Sequence, residues 1–109
     1  QAGHAFTADN RLKVAQVDAH TFEVIAQPGT GTVQFWCAAG DYVVRELGQP
    51  VTTKIYRTSS PPRRGGKGIT FSLSPDNAKR TGLFVLGNPK GISASHARAF
   101  CDEKRLIVD

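Results

Sequence analysis

Five cations fall in one stretch of the chain: Lys54, Arg57, Arg63, Arg64 and Lys67 lie between Leu47 and Pro75, with no acidic residue among them. They account for the whole formal net charge of +5, because the remaining basic side chains equal the 9 acidic ones in number. Guanidinium groups on a Gly-rich backbone suit phosphate or sulfate oxygens, and Tyr56 offers a ring for stacking. A patch of this kind holds a polyanion with an affinity that falls as salt is raised. The expected partner is an anionic macromolecule or an acidic protein surface.

His96 is a second candidate. Ser93-Ala94-Ser95-His96 marks the start of a helix, where free backbone N–H groups favour an anion and lower the pKa of a nearby imidazole. His96 with Glu23 and Arg57 would supply the base, acid and phosphate-binding cation of a small secreted phosphodiesterase or ribonuclease. No G-x-S-x-G context surrounds Ser93 or Ser95, and Gly87-Asn88-Pro89-Lys90-Gly91 lacks phosphate-loop spacing. The expectation is therefore a non-catalytic binding domain, with the His96 hydrolase as the alternative.

Cys37 and Cys101 stand 64 positions apart, which allows neither a C-x-x-C redox pair nor a four-cysteine zinc site. His4, His20 and His96 fit no metal-binding spacing. Neither metal nor cofactor is expected. An even cysteine count, the absence of Met and the start Gln1-Ala2-Gly3 suggest a processed periplasmic or secreted chain with a Cys37–Cys101 disulfide. Closing so long a loop is worth about 4 kcal/mol in the chain-entropy treatment.

These side chains need a scaffold. At 109 residues, 39% of them hydrophobic and 21% charged, the chain is long enough for one domain over residues 1–109 and too apolar for a disordered tail. No apolar run approaches the roughly 20 residues of a membrane span. Residues 1–10 read as an extended lead-in. Leu12–Val17 and Thr21–Gln27 read as a hairpin about Asp18-Ala19-His20. Val33, Trp36, Cys37, Gly40, Val43, Val44 and Leu47 recur at helical spacing, capped by Thr30 or Thr32 and stopped by Gly48 and Pro50. Gln34, Ala38, Asp41 and Arg45 fall on the opposite face, with Asp41 and Arg45 as an i,i+4 pair. Trp36 reads as core.

Thr52–Thr58 and Ile69–Ser74 read as two strands around an exposed loop at 59–68, with Lys54, Tyr56 and Thr58 on one face and Ile55 and Arg57 on the other. Ser74-Pro75-Asp76 carries the start signals of a short helix. Leu83–Leu86 has strand composition, Ser93 can cap a last helix from Ala94 to Glu103, and Leu106–Val108 can form an edge strand. The expected fold is α+β: a mainly antiparallel sheet with a β-β-α-β-β core packed on one central helix, and a short C-terminal helix tied by the disulfide.

Overall fold

The computed structural model describes residues 5–61, 66–83, 87 and 89–102. Its sheet begins inside the expected lead-in, where β1 (Ala5–Thr7) pairs with β2 (Lys13–Gln16). β2 and β3 (Thr21–Val24) form the expected hairpin. Asp18 builds its turn: one carboxylate oxygen accepts the N–H groups of His20 and Thr21, both at 2.9 Å. Those bonds, the His20 N–H first, hold the Asp18 carboxyl below its ordinary pKa against the opposing effect of desolvation.

β4 (Lys54–Arg57) and β5 (Ile69–Ser72) form the second hairpin, and β6 (Gly91–Ser93) closes the far side, giving six antiparallel strands in the order β1-β2-β3-β5-β4-β6. Val14, Phe22, Val24, Ile55, Ile69, Phe71 and Ile92 point to one face and are buried. Strand alternation sends Thr21, Glu23, Lys54, Tyr56, Thr70 and Ser72 to the other.

The buried face is covered by α1 (Thr32–Asp41), which continues through a π-helical turn, Tyr42–Glu46. Gly31 occupies the N-cap position with no side-chain cap, so neither Thr30 nor Thr32 plays the expected part. At the other end Gly48 takes φ 68°, which lets the Gln49 N–H reach the Val43 carbonyl and stop the helix as expected. Trp36 is fully buried, edge-on to Phe71 with ring centroids 4.7 Å apart, and Tyr42 packs on Phe22 at 4.6 Å.

Residues 35–43 are all buried, a wider band than one apolar stripe provides. The cause is α2 (Ala94–Ala99), which packs on the second side of α1 and ends in the 3-10 turn Phe100–Asp102. A methyl group on Gly40 would sit 2.9 Å from the Ala94 carbonyl oxygen, the Ala97 Cβ and the Arg98 Cγ. The Cys37–Cys101 disulfide joins the two helices, with Cα atoms 4.9 Å apart.

Ala38 and Asp41 are therefore inside, not on the outer face their spacing suggested. Asp41 is 1% exposed and remains paired with Arg45, which grips both carboxylate oxygens at 2.7 Å. The Asp9 N–H donates to Oδ2 at 2.9 Å, and Arg98 Nη2 stands 3.7 Å from Oδ1. Burial pushes the Asp41 carboxyl up, but the Arg45 and Asp9 hydrogen bonds and the two guanidinium charges outweigh it, leaving the pKa below its usual value. The Arg45 guanidinium also lies 5.1 Å from the Phe6 ring centroid, so this one cluster fastens β1, the turn after it and α2 to α1.

The helix expected after Ser74 does not form. Residues 74–78 turn instead, with the Ala78 N–H on the Pro75 carbonyl and the Asp76 N–H on Ser74 Oγ. Asn77, Lys79 and Arg80 are exposed, so a helix here would bury no apolar stripe. The Lys79 N–H bonds the Arg57 carbonyl at 2.7 Å, bringing the chain across to the far edge of β4. The expected strand beyond Leu83, the edge strand at 106–108 and Glu103 lie outside the described residues.

Candidate functional site

Of the five cations of the 47–75 segment, Lys54, Arg57 and Lys67 are among the described residues, and Arg57 does not share a surface with the other two. Lys54 is exposed on the uncovered face of the sheet, opposite Ser93 at the start of β4. Lys67 is exposed two residues before the start of β5. Arg63 and Arg64 lie outside the described residues.

Arg57 is a correction. It faces the same side as Ile55, as the alternation predicted, but that side is the core, and its side chain is 1% exposed. Its register partner is Phe71, which continues across the sheet to Phe22. Two backbone carbonyls hold the guanidinium: Nε donates to Ser59 at 2.8 Å and Nη1 to Thr81 at 3.2 Å. A side chain so enclosed cannot meet a macromolecular anion at the surface.

The sheet also separates the alternative catalytic set. Glu23 stands on the uncovered face between Ala15 and Thr70, whereas Arg57 points into the core on the opposite face. His96 is exposed on α2, its ring 5.3 Å from that of Phe100, and its backbone N–H takes the Ser93 cap at 3.1 Å. None of these three side chains lines any of three clefts in the surface, formed about Arg80 and Lys90, about Ser72 and Asp76, and about Pro28 and Gly66. Among the described residues, no group of three His, Cys, Asp or Glu side chains converges as a metal site.

A different set of cations does converge. A cleft of about 290 Å³ is lined by Pro61, Arg80, Thr81, Gly82, Leu83, Pro89 and Lys90. Arg80 and Lys90 are exposed and flank it, no acidic side chain lines it among the described residues, and Lys79 is exposed next in sequence. Its floor is tied to both layers of the fold. The Thr81 carbonyl accepts from Trp36 Nε1 at 3.0 Å as well as from Arg57 Nη1.

Gly82, at φ 80°, lies directly over Arg57, where a Cβ would come 2.5 Å from Nη1. A side chain there would be strained by the backbone conformation and would have to displace the buried Arg57 guanidinium. Charge counting overlooked the cleft because Lys79, Arg80 and Lys90 sit in the stretch whose charges cancel overall. The adjacent pair Lys79-Arg80 was the available signal.

No protein-family model, curated protein sequence or solved structure matches the chain.

Proposed function

We propose that the chain is a non-catalytic exported binding domain that engages an anionic partner at the cleft flanked by Arg80 and Lys90. The observation that carries this reading is a concave site whose described lining holds two exposed cations, two prolines and Leu83, and no carboxylate. A cleft of one charge sign concentrates the field and raises the local density of counter-charged groups. Single exposed ion pairs are worth only about 0.2–1 kcal/mol, so the fitting partner presents several anionic groups. Arg63 and Arg64 follow the lining residue Pro61 closely in sequence. The disulfide supports an oxidising compartment, periplasmic or extracellular. The placement of Arg57 and Glu23 on opposite faces of the sheet supports binding over hydrolysis.

Retention on heparin and on phosphate resin tests the proposal. The Arg80→Ala/Lys90→Ala double variant should elute at clearly lower salt than the parent. Lys13→Ala/Lys54→Ala, on the uncovered sheet face, removes the same charge and should shift elution much less. Equal shifts from the two pairs would mean that net charge alone acts, and no shift from the first would remove the cleft from consideration.

A further inference from the structure

A second cleft lies on the uncovered face of the sheet. Its floor is made by Thr21 on β3, Ser72 on β5 and Thr58 just beyond β4, and its volume is about 350 Å³. Two turns wall it: Asp18 and His20 from the β2–β3 hairpin, and Ser74, Asp76 and Asn77 from the segment that crosses to the Arg57–Lys79 bridge. Every lining side chain carries a polar group able to hydrogen-bond, and none is aliphatic or aromatic apart from the imidazole.

The internal bonds of the cleft define what it can still offer. Ser72 is 5% exposed and its hydroxyl oxygen accepts the Ser74 N–H at 3.0 Å, which leaves its own proton as a donor on the floor. Thr58 donates to Thr70 Oγ1 at 2.9 Å, which leaves its oxygen as an acceptor. Asp18 is locked by two backbone N–H groups on one oxygen, and the Leu73 N–H on the His20 carbonyl fixes the turn against β5. Among the described residues, the Asp76 carboxylate and the Asn77 carboxamide make no side-chain hydrogen bond. The site thus pairs preformed acceptors with preformed donors at close range.

Its chemistry excludes most ligand classes. Asp18 and Asp76 repel an anion, and among the described residues no Lys or Arg lines the walls to offset them. The acidic and imidazole groups do not converge as a metal site. An apolar ligand would strand the hydroxyls of the floor. A ligand whose groups each donate and accept satisfies the set: one hydroxyl can donate to a carboxylate while accepting from Ser72 or Asn77.

We infer that this cleft binds a neutral polyhydroxylated ligand, a saccharide ring, through Ser72, Thr58, Asp76 and Asn77. The inference is independent of the anionic partner, since the two clefts share no lining residue.

Titration of the isotopically labelled protein with methyl glucoside, N,N′-diacetylchitobiose and, separately, putrescine tests it by amide chemical shifts. Either sugar should give saturable shifts at residues 18–21 and 72–77, with a Kd on the order of millimolar. Asp76→Ala/Asn77→Ala alters only exposed side chains and should weaken binding at least about tenfold, or 1.4 kcal/mol. Ser72→Ala should do the same if it folds. Absence of saturable shifts with both sugars, saturation by putrescine alone, or undiminished sugar binding by Asp76→Ala/Asn77→Ala would each overturn the assignment.

Discussion

Asp41 offers the sharpest test of how the two helices and the first strand are held together. Asp41→Asn keeps the volume and one acceptor oxygen but removes the charge that Arg45 grips at both oxygens. Breaking a fully buried ion pair from one side costs about 3–5 kcal/mol. The guanidinium partners here are not fully buried: Arg45 is 46% and Arg98 37% exposed, so both regain water when the carboxylate is lost. The discounted cost is about 2–3 kcal/mol, which for a chain of this size lowers Tm by roughly 9–13 °C.

The pH dependence has a definite sign. Asp41 titrates below its unfolded value in the native state, so its ionised form stabilises the fold above pH about 4. That contribution is lost as pH falls through the native-state pKa. Urea unfolding of both proteins at several pH values between 7 and 2.5 should show the full gap at neutral pH, closing in acid at an unchanged m-value. A gap below about 0.5 kcal/mol at pH 7, or one that stays constant down to pH 2.5, would refute the argument, because typical surface substitutions produce no more than that.

Gly40→Ala should destabilise despite its gain of about 1 kcal/mol in helix propensity. The new methyl meets the Ala94 carbonyl and the Ala97 Cβ, and overpacking of that kind costs about 1–3 kcal/mol. Thermal unfolding should show a lower Tm, partly restored by Ala97→Gly; a Tm that rises would mean the helices part at no cost. Replacing both cysteines by alanine should lower the unfolding free energy by about 4 kcal/mol, measured by urea titration against the oxidised parent. A midpoint indistinguishable from that parent would show that packing alone holds α2.

Local signals predicted the elements that rest on local physics. The β2–β3 hairpin follows from alternation and from Asp18, whose side chain folds back on its own turn. The end of the main helix follows from Gly48. The disulfide needed no geometry, because only one pairing of two cysteines exists.

What escaped depends on distant neighbours. Asp41 and Ala38 lie opposite the apolar stripe, and only α2, more than fifty residues later, makes that side an interior. A charged residue on a strand ordinarily faces water; Arg57 does not, because the carbonyls of Ser59 and Thr81 receive it inside. Ala5–Thr7 is too short for a period to show, and Gly91 reads as a turn although it begins an edge strand. The two clefts were invisible for the same reason: each is assembled from segments that the chain brings together only after a crossing.

The shared hydrogen bond of the Thr81 carbonyl has one more consequence. Trp36 is the sole tryptophan, and its indole N–H donates to a carbonyl in the wall of the cationic cleft. Indole emission responds to that bond, so a ligand that displaces Thr81 even slightly changes the colour of the protein's own fluorescence. The fold thus sets an optical reporter beside the cleft: a ligand bound there would be followed in the native chain without dye or label, while the buried ring stays sealed from solvent quenchers.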